Sequence, residues 1–278
     1  DDETPRLLSY RKLLEGVTRA ANFFTALGGP APGVAYILPS LIETHFTLWG
    51  AETAGYAVPI NFLLQADNIA DLIRASGAKI LVALGPHPQL DIWQKALAVR
   101  EQIPDLKLVQ VSPPDAPLSD GVTGFAAGMA MQGGETLSFG HARRDSDVAA
   151  YFHTGGTTGL PKLVIHTHRN QIAAAFGGTI LQDVSETDAL MNGLPLFHVA
   201  ATISCSLSFF IAGANVIVLS PGGMRNPLVI KNYWRIVERY RATIIGGWPT
   251  ARAARLMVPV DASLASVRYS ISGASLLL

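Results

Sequence analysis

Nine consecutive residues, Thr154-Gly155-Gly156-Thr157-Thr158-Gly159-Leu160-Pro161-Lys162, combine the groups that grip a polyanion. Gly155, Gly156 and Gly159 let the backbone approach closely and expose its amides. Thr154, Thr157 and Thr158 offer hydroxyl donors, and Lys162 adds a mobile positive charge for phosphate oxygens. A plain surface turn explains two or three clustered glycines; the ordered run with three threonines and a lysine points to phosphate binding instead. The run follows Val148 to Phe152, an apolar stretch that predicts a strand. Another phosphate loop, G-x-x-x-x-G-K-S/T, does not fit. Leu160 and Pro161 intervene between Gly159 and Lys162, and Leu163 stands where that motif needs a magnesium-binding hydroxyl.

The nine residues closely resemble the signature of the adenylate-forming superfamily, usually T-S-G-T-T-G-x-P-K-G, which contains acyl-coenzyme A synthetases, peptide-synthetase adenylation domains and firefly-type luciferases. The resemblance extends to both sides in the right order. Upstream, Leu8-Ser9-Tyr10, the strand at Val34 to Leu38, and Val58-Pro59-Ile60-Asn61 through Gly77-Ala78-Lys79 look like the family's opening subdomain. Downstream, Val164-Ile165-His166-Thr167-His168 matches V-x-x-S/T-H, and Pro195-Leu196-Phe197-His198 matches the segment before the acyl pocket. Gly247-Trp248-Pro249-Thr250 is similar to G-V-P-T, and Ser272-Gly273-Ala274-Ser275 to S-G-G-A.

The resemblance implies ATP-dependent activation of a small carboxylic acid as its acyl-adenylate, then transfer to the thiol of coenzyme A, with Mg2+ required. Thr154, Gly155, Gly156, Thr157, Thr158, Gly159 and Lys162 would hold the ATP phosphates, Lys162 acting by charge. Two departures weaken the match: Gly155 replaces the frequent Ser or Thr, and Leu163 replaces a glycine. His198 would sit beside the carboxylate and adenylate. A lone histidine is more often a hydrogen-bonded core residue, but the motif around His198 favours the site. His168 is equally explained as a brace for the following helix, and His153 and His166 are read as structural. Gly273 and Ala274 would border nucleotide and acyl group, with a tight turn as the equal alternative. Trp248, in place of an aliphatic residue, either narrows the acyl pocket or fills core. No His, Cys and carboxylate spacing suggests a protein metal site.

A peptide-synthetase-type adenylation domain is the nearest alternative, disfavoured because no aspartate follows closely after His198 to meet an amino group. A nucleotide- or acyl-binding protein without catalysis is the other. The resemblance also implies that a magnesium-binding glutamate, a ribose-binding aspartate and a C-terminal domain with a second lysine would follow Leu278, so that the chain by itself would be inactive.

Composition agrees with a small-molecule partner. The 278 residues hold 21 Lys and Arg against 21 Asp and Glu, leaving no bulk charge to attract nucleic acid. The single cysteine, Cys205, reads as a buried thiol, and the start Asp1-Asp2-Glu3-Thr4-Pro5 is unlike a secretory signal, which together suggest the cytoplasm. Val199 to Leu219 carries no charged side chain, yet interleaved serines and Gly213-Ala214-Asn215 break it into a buried helix, a turn and a strand rather than a membrane span.

The elements that must position these groups alternate. Ser9 precedes a helical pattern ending at Gly28. A strand at Val34 to Leu38, a helix from Glu43 to Ala54 and a strand at Tyr56 to Ile60 follow. Asp67 is the expected cap of the next helix, and Gly77 its left-handed close. Ile80 to Ala83, Trp93 to Glu101 and Leu106 to Val111 continue the alternation, and Ser112 to Arg144 reads as a long connection. The fold class is therefore α/β, with two helix-covered, largely parallel sheets. The resemblance pairs residues 1–55 with 186–278 in one subdomain and leaves 56–185 as the other, ending with the phosphate loop.

Overall fold

A computed structural model describes residues 5–113, 116–140, 143–154 and 162–273. It is an α/β protein with two sheets. The chain divides into two units, Asp1–Leu38 with Ile42–His168 and Pro39–Leu41 with Arg169–Leu278.

The first unit is built on seven strands. These are β1 (Gly33–Ile37), β2 (Tyr56–Pro59), β3 (Ile80–Leu84), β4 (Lys107–Val111), β5 (Thr123–Gly124), β6 (Val148–His153) and β7 (Leu163–Thr167). Their order is β5-β4-β3-β1-β2-β6-β7; every pair is parallel except β6 with β7. The five residues of β1 are all buried, as a strand covered by helices on both faces requires. Helix α1 (Tyr10–Gly28) starts as expected, with the Ser9 side chain accepting the Lys12 amide at 3.3 Å. It packs on α2 (Ile42–Ala54) at a crossing that Gly50 permits: a β-carbon there would stand 2.5 Å from the Ala20 methyl.

Helix α3 (Ala66–Ser76) closes at Gly77, whose φ of 70° is the left-handed conformation expected. Its N-cap is Gln65, however, not Asp67. Asp67 lies in the first turn, where its carboxylate favours the helix N-terminus and accepts a hydrogen bond from the Gln102 side chain at the end of α4 (Ile92–Gln102).

The connection from Ser112 to Arg144 contains more order than its composition suggests: β5 and a short helix, α5 (Phe125–Ala130). Phe125 and Met129 are buried, and the Phe125 ring stands edge-on to Phe23 of α1 at 6.3 Å. Buried Asn22 fastens the following segment. Its amide donates to the carbonyls of Gly133 and Thr136 at 3.0 and 2.9 Å, and its oxygen accepts the Ser138 amide at 2.8 Å. A fully satisfied buried amide makes that attachment specific in register.

The second unit holds β8 (Ala189–Asn192), β9 (Asn215–Val218), β10 (Ile244–Gly247) and β11 (Tyr269–Ser272), all parallel, in the order β11-β10-β8-β9. Its main helices are α6 (His168–Leu181), which begins at the boundary between units, α7 (Ser208–Ile211), α8 (Pro227–Lys231), α9 (Tyr233–Arg239) and α10 (Pro249–Leu256). The uncharged stretch after Val199 forms helix, turn and strand as expected, but its first part, Ala200–Leu207, is a π-helix. Among the described residues no helix is long and apolar enough to cross a membrane.

The unit boundary differs from the expected division. Residues 1–55 stay with β2 to β7, and only Pro39–Leu41 joins the later segment. The reason is strand pairing: Val34 of β1 is in register with Ala57 of β2 on one side and Ile80 of β3 on the other, so β1 is central to the first sheet.

Candidate active site

In the first unit, β6 and β7 form an antiparallel hairpin whose last register pair is His153 with Leu163. Immediately beyond it the Thr154 amide donates to the Lys162 carbonyl at 2.9 Å. The two ends of the phosphate segment are thus brought together at a closed neck, with Thr154 and Lys162 both exposed. Gly155, Gly156, Thr157, Thr158 and Gly159 lie outside the described residues, as does Ala274.

The histidines beside the hairpin pack within the fold, though His166 Nδ1 and His168 Nε2 are buried without a hydrogen-bond partner among the described residues. His153 Nε2 accepts the Asn61 amide at 3.0 Å, tying the chain after β2 to the end of β6. The His166 ring packs on Phe152 with centroids 4.9 Å apart, and burial lowers its pKa. His168 opens α6, where its amide donates to the Asp147 carbonyl at 3.2 Å. Burial, with nearby Arg143, lowers its pKa against the opposing charge of Asp147.

In the second unit the expected residues gather at the C-terminal ends of the strands. The chain leaves β8 towards β9 on one side and returns to β10 on the other, so β8 and β10 flank a switch point. Parallel sheets bind ligands outside such a point, because successive loops diverge there and leave a crevice. The segment Pro195–His198 follows β8, Trp248 follows β10 and Gly273 follows β11. Gly247 and Ser272 are register partners, which places Trp248 and Gly273 side by side on this rim.

The Pro-Leu-Phe-His segment has a mechanical logic. Leu196 and Phe197 are buried and anchor the loop, leaving His198 exposed. The Ala200 amide donates to His198 Nδ1 at 3.1 Å. With Nδ1 accepting, the neutral ring carries its proton on Nε2. Desolvation where the ring lies against its loop lowers its pKa from the ordinary value, favouring that neutral form at pH 7. His198 therefore offers an N–H donor suited to a carboxylate or phosphoryl oxygen.

Trp248 is half-buried at the N-cap of α10 and packs on a cluster that includes Met191, Met224 and Tyr233. It fills core on one side and borders the rim on the other. At Gly273 a β-carbon would meet no atom within 4 Å, so the backbone leaves room there. The Ser272 hydroxyl beside it is buried without a hydrogen-bond partner among the described residues. Burial pushes the Cys205 thiol up to about 12, which keeps it protonated and rules it out as a nucleophile at neutral pH. Among the described residues, no group of three or more His, Cys, Asp or Glu side chains is placed to hold a metal ion.

Sequence reasoning missed Asn192 and Ser206. Both are buried, and they join the end of β8 to the π-helix that follows His198. The only signal was a polar residue closing an apolar strand.

The model of the AMP-binding enzyme family matches residues 2–277. The chain belongs to this family. It is similar to the marinolic acid-CoA ligase of Pseudoalteromonas sp. (strain SANK 73390), with 33% identity over 267 residues, 94% of this chain and 40% of that protein. Crotonobetaine/carnitine-CoA ligase of Citrobacter koseri is 27% identical over 241 residues, 86% of this chain and 44% of that protein. The chain thus spans less than half the length of these curated relatives. Among solved structures, the anthranilate CoA ligase AuaEII in complex with anthranoyl-AMP superposes with a TM-score of 0.82 at 22% identity, over 97% of this chain and 51% of that one. ATP-bound MatB from Rhodopseudomonas palustris gives 0.78 at 21% identity, over 96% and 49%. At such identities the superpositions establish the fold.

Proposed function

We propose that the natural protein carrying this chain activates a small carboxylic acid with ATP, forming an acyl-adenylate and pyrophosphate, and passes the acyl group to coenzyme A. The observation that carries this is the ordered set of AMP-binding motifs over residues 2–277, with 33% identity to a CoA ligase. In this reading the segment from Thr154 to Lys162 holds the β- and γ-phosphates while the acid's oxygen attacks the α-phosphorus. Charge neutralisation and positioning supply most of the rate. His198, neutral and with its Nε2–H outward, donates to the acid's carboxylate or the adenylate. Trp248 limits the acyl group, and Gly273 with Ala274 leaves space for it. Mg2+ accompanies the nucleotide and would supply further charge neutralisation at the phosphates; no residue of this chain is assigned to hold it.

Substitution within the phosphate segment tests this directly. Lys162→Ala and Thr157→Ala in the natural protein should each lower acyl-adenylate formation by about 10²–10³, as deletion of one transition-state contact does; the unfolding midpoint of Lys162→Ala should stay unchanged because Lys162 is exposed. Wild-type rates in both variants would remove the phosphate role.

A further inference from the structure

Resting on the adenylation reading of the same site, we propose that Asn192 is the positioning residue for His198, acting through the π-helix that follows it. Asn192 closes β8 and is 3% exposed. Its Nδ2 donates to the Ala201 carbonyl and to Ser206 Oγ, both at 3.1 Å, and its Oδ1 accepts the Leu194 amide at 3.3 Å. Ser206 Oγ, also buried, donates to the same Ala201 carbonyl at 2.7 Å. One side chain therefore grips the chain on both sides of His198, at Leu194 before it and at Ala201 and Ser206 after it.

The π-helix makes this grip possible. Its i→i+5 spacing widens the turn. The Ala201 carbonyl then takes the Ser206 hydroxyl five residues on and the Asn192 amide from the strand. Ala201 in turn donates its amide to the His198 carbonyl at 3.0 Å, and the neighbouring Ala200 amide holds His198 Nδ1. The path from the rigid strand to the imidazole thus runs through these hydrogen bonds and the short main chain of Ala200 and Ala201 that joins them, and the last of them leaves Nε2 as the outward ring nitrogen. An apolar residue at 192 would leave the Ala201 carbonyl short of a donor and the Leu194 amide without an acceptor. Neither loss would free the buried anchors Leu196 and Phe197, so the loop would stay attached while the ring lost its bearing.

Asn192→Asp keeps the shape but replaces both amide donors with an acceptor facing the Ala201 carbonyl. Ser206→Ala, which removes one hydroxyl, is the milder variant should Asn192→Asp fold poorly. Two readouts separate the possibilities in the natural protein: imidazole nitrogen NMR of His198, and acid-dependent pyrophosphate release in wild-type and His198→Ala backgrounds. Asn192→Asp should move the His198 nitrogen signals. It should also lower release by roughly tenfold to 10²-fold, the scale of a small misplacement near the reacting atoms, while causing about twofold or less further loss once His198 is alanine, as residues acting in series do. Unmoved His198 signals in both variants, or an equal loss in both backgrounds, would overturn the proposal. Moved signals combined with full activity of His198→Ala would uphold the positioning and instead overturn the functional role given to His198.

Discussion

The two ends of the second sheet are built for different purposes. At the N-terminal end, Asp188, Thr243 and Arg268 stand just before β8, β10 and β11 and are locked together. Thr243 Oγ1 donates to Asp188 Oδ1 at 2.7 Å, Arg268 Nη1 to Asp188 Oδ2 at 2.6 Å, and the Ser185 amide to the same oxygen at 2.9 Å. The Asp188 carboxylate is fully shielded and fully used. At the C-terminal end the polar groups are held but not exhausted: His198 keeps Nε2, the Ser272 hydroxyl has no partner among the described residues, and Gly273 presents bare backbone. One rim satisfies its polar atoms within the fold, and the other leaves the Ser272 hydroxyl without a partner among the described residues, as the proposed ligand site would require. Polar groups that are paired stabilise, while those left unspent at a strand end signal chemistry.

Stability against pH separates the scaffold from the rim and carries the largest effect. Burial holds His45 of α2 down at about 4, against an ordinary 6.5. The unfolded chain takes up this proton near 6.5 and the folded one only near 4. Stability should therefore fall as pH drops through that window, by about 3 kcal/mol. Desolvation raises the Asp188 pKa, but hydrogen bonds from Thr243, Arg268 and Ser185 outweigh it and leave it lowered. Its contribution is complete above the unfolded carboxylate value of about 3.9 and is lost as pH falls through the lower folded value. Denaturant melts across pH should show the first limb vanish in His45→Gln and the second in Asp188→Ala. The latter also costs about 1–3 kcal/mol near neutrality, from partners left unsatisfied. Neither should change turnover per folded molecule; a selective loss of turnover in Asp188→Ala would break the contrast between the two ends.

A smaller effect sharpens the same contrast from the other rim. Trp248→Val should shift preference towards longer or bulkier acids by roughly 10-fold to 200-fold, the range set by small volume changes in an apolar pocket. Competition between acids of graded length measures it. An unchanged profile with lower stability would assign the indole wholly to the Met191 and Tyr233 cluster.

Local features were legible in the sequence where local physics decides them. Ser9 caps α1, Gly77 takes the left-handed turn, and the apolar strands pair in parallel, because capping, glycine geometry and burial are written in neighbouring residues. Asp67 reads as a cap in sequence yet lies in the first turn, because a carboxylate suits the first turn as well as the cap itself. Helix α5 is hard to read from sequence because Phe125 and Met129 stand in a short run of Gly and Ala inside a Pro-, Gly- and Ser-rich connection, and packing against α1 gives Phe125 its place. The Asp188–Arg268 pair, 80 residues apart, and the Asn192 grip depend on strand order, which no single segment records. Motifs located the neck residues Thr154 and Lys162, His198 and the two strand ends. They carried no information on the π-helix, whose wide turn is fixed by buried serines meeting backbone carbonyls.

The most direct test of the central claim is pyrophosphate release by the natural protein across a panel of carboxylic acids, with and without coenzyme A. Acid activation predicts release that requires ATP and one class of acid, proceeds to the first turnover without the thiol, and yields a thioester when coenzyme A is added. Tight nucleotide binding with no acid-dependent release under any of these conditions would contradict it.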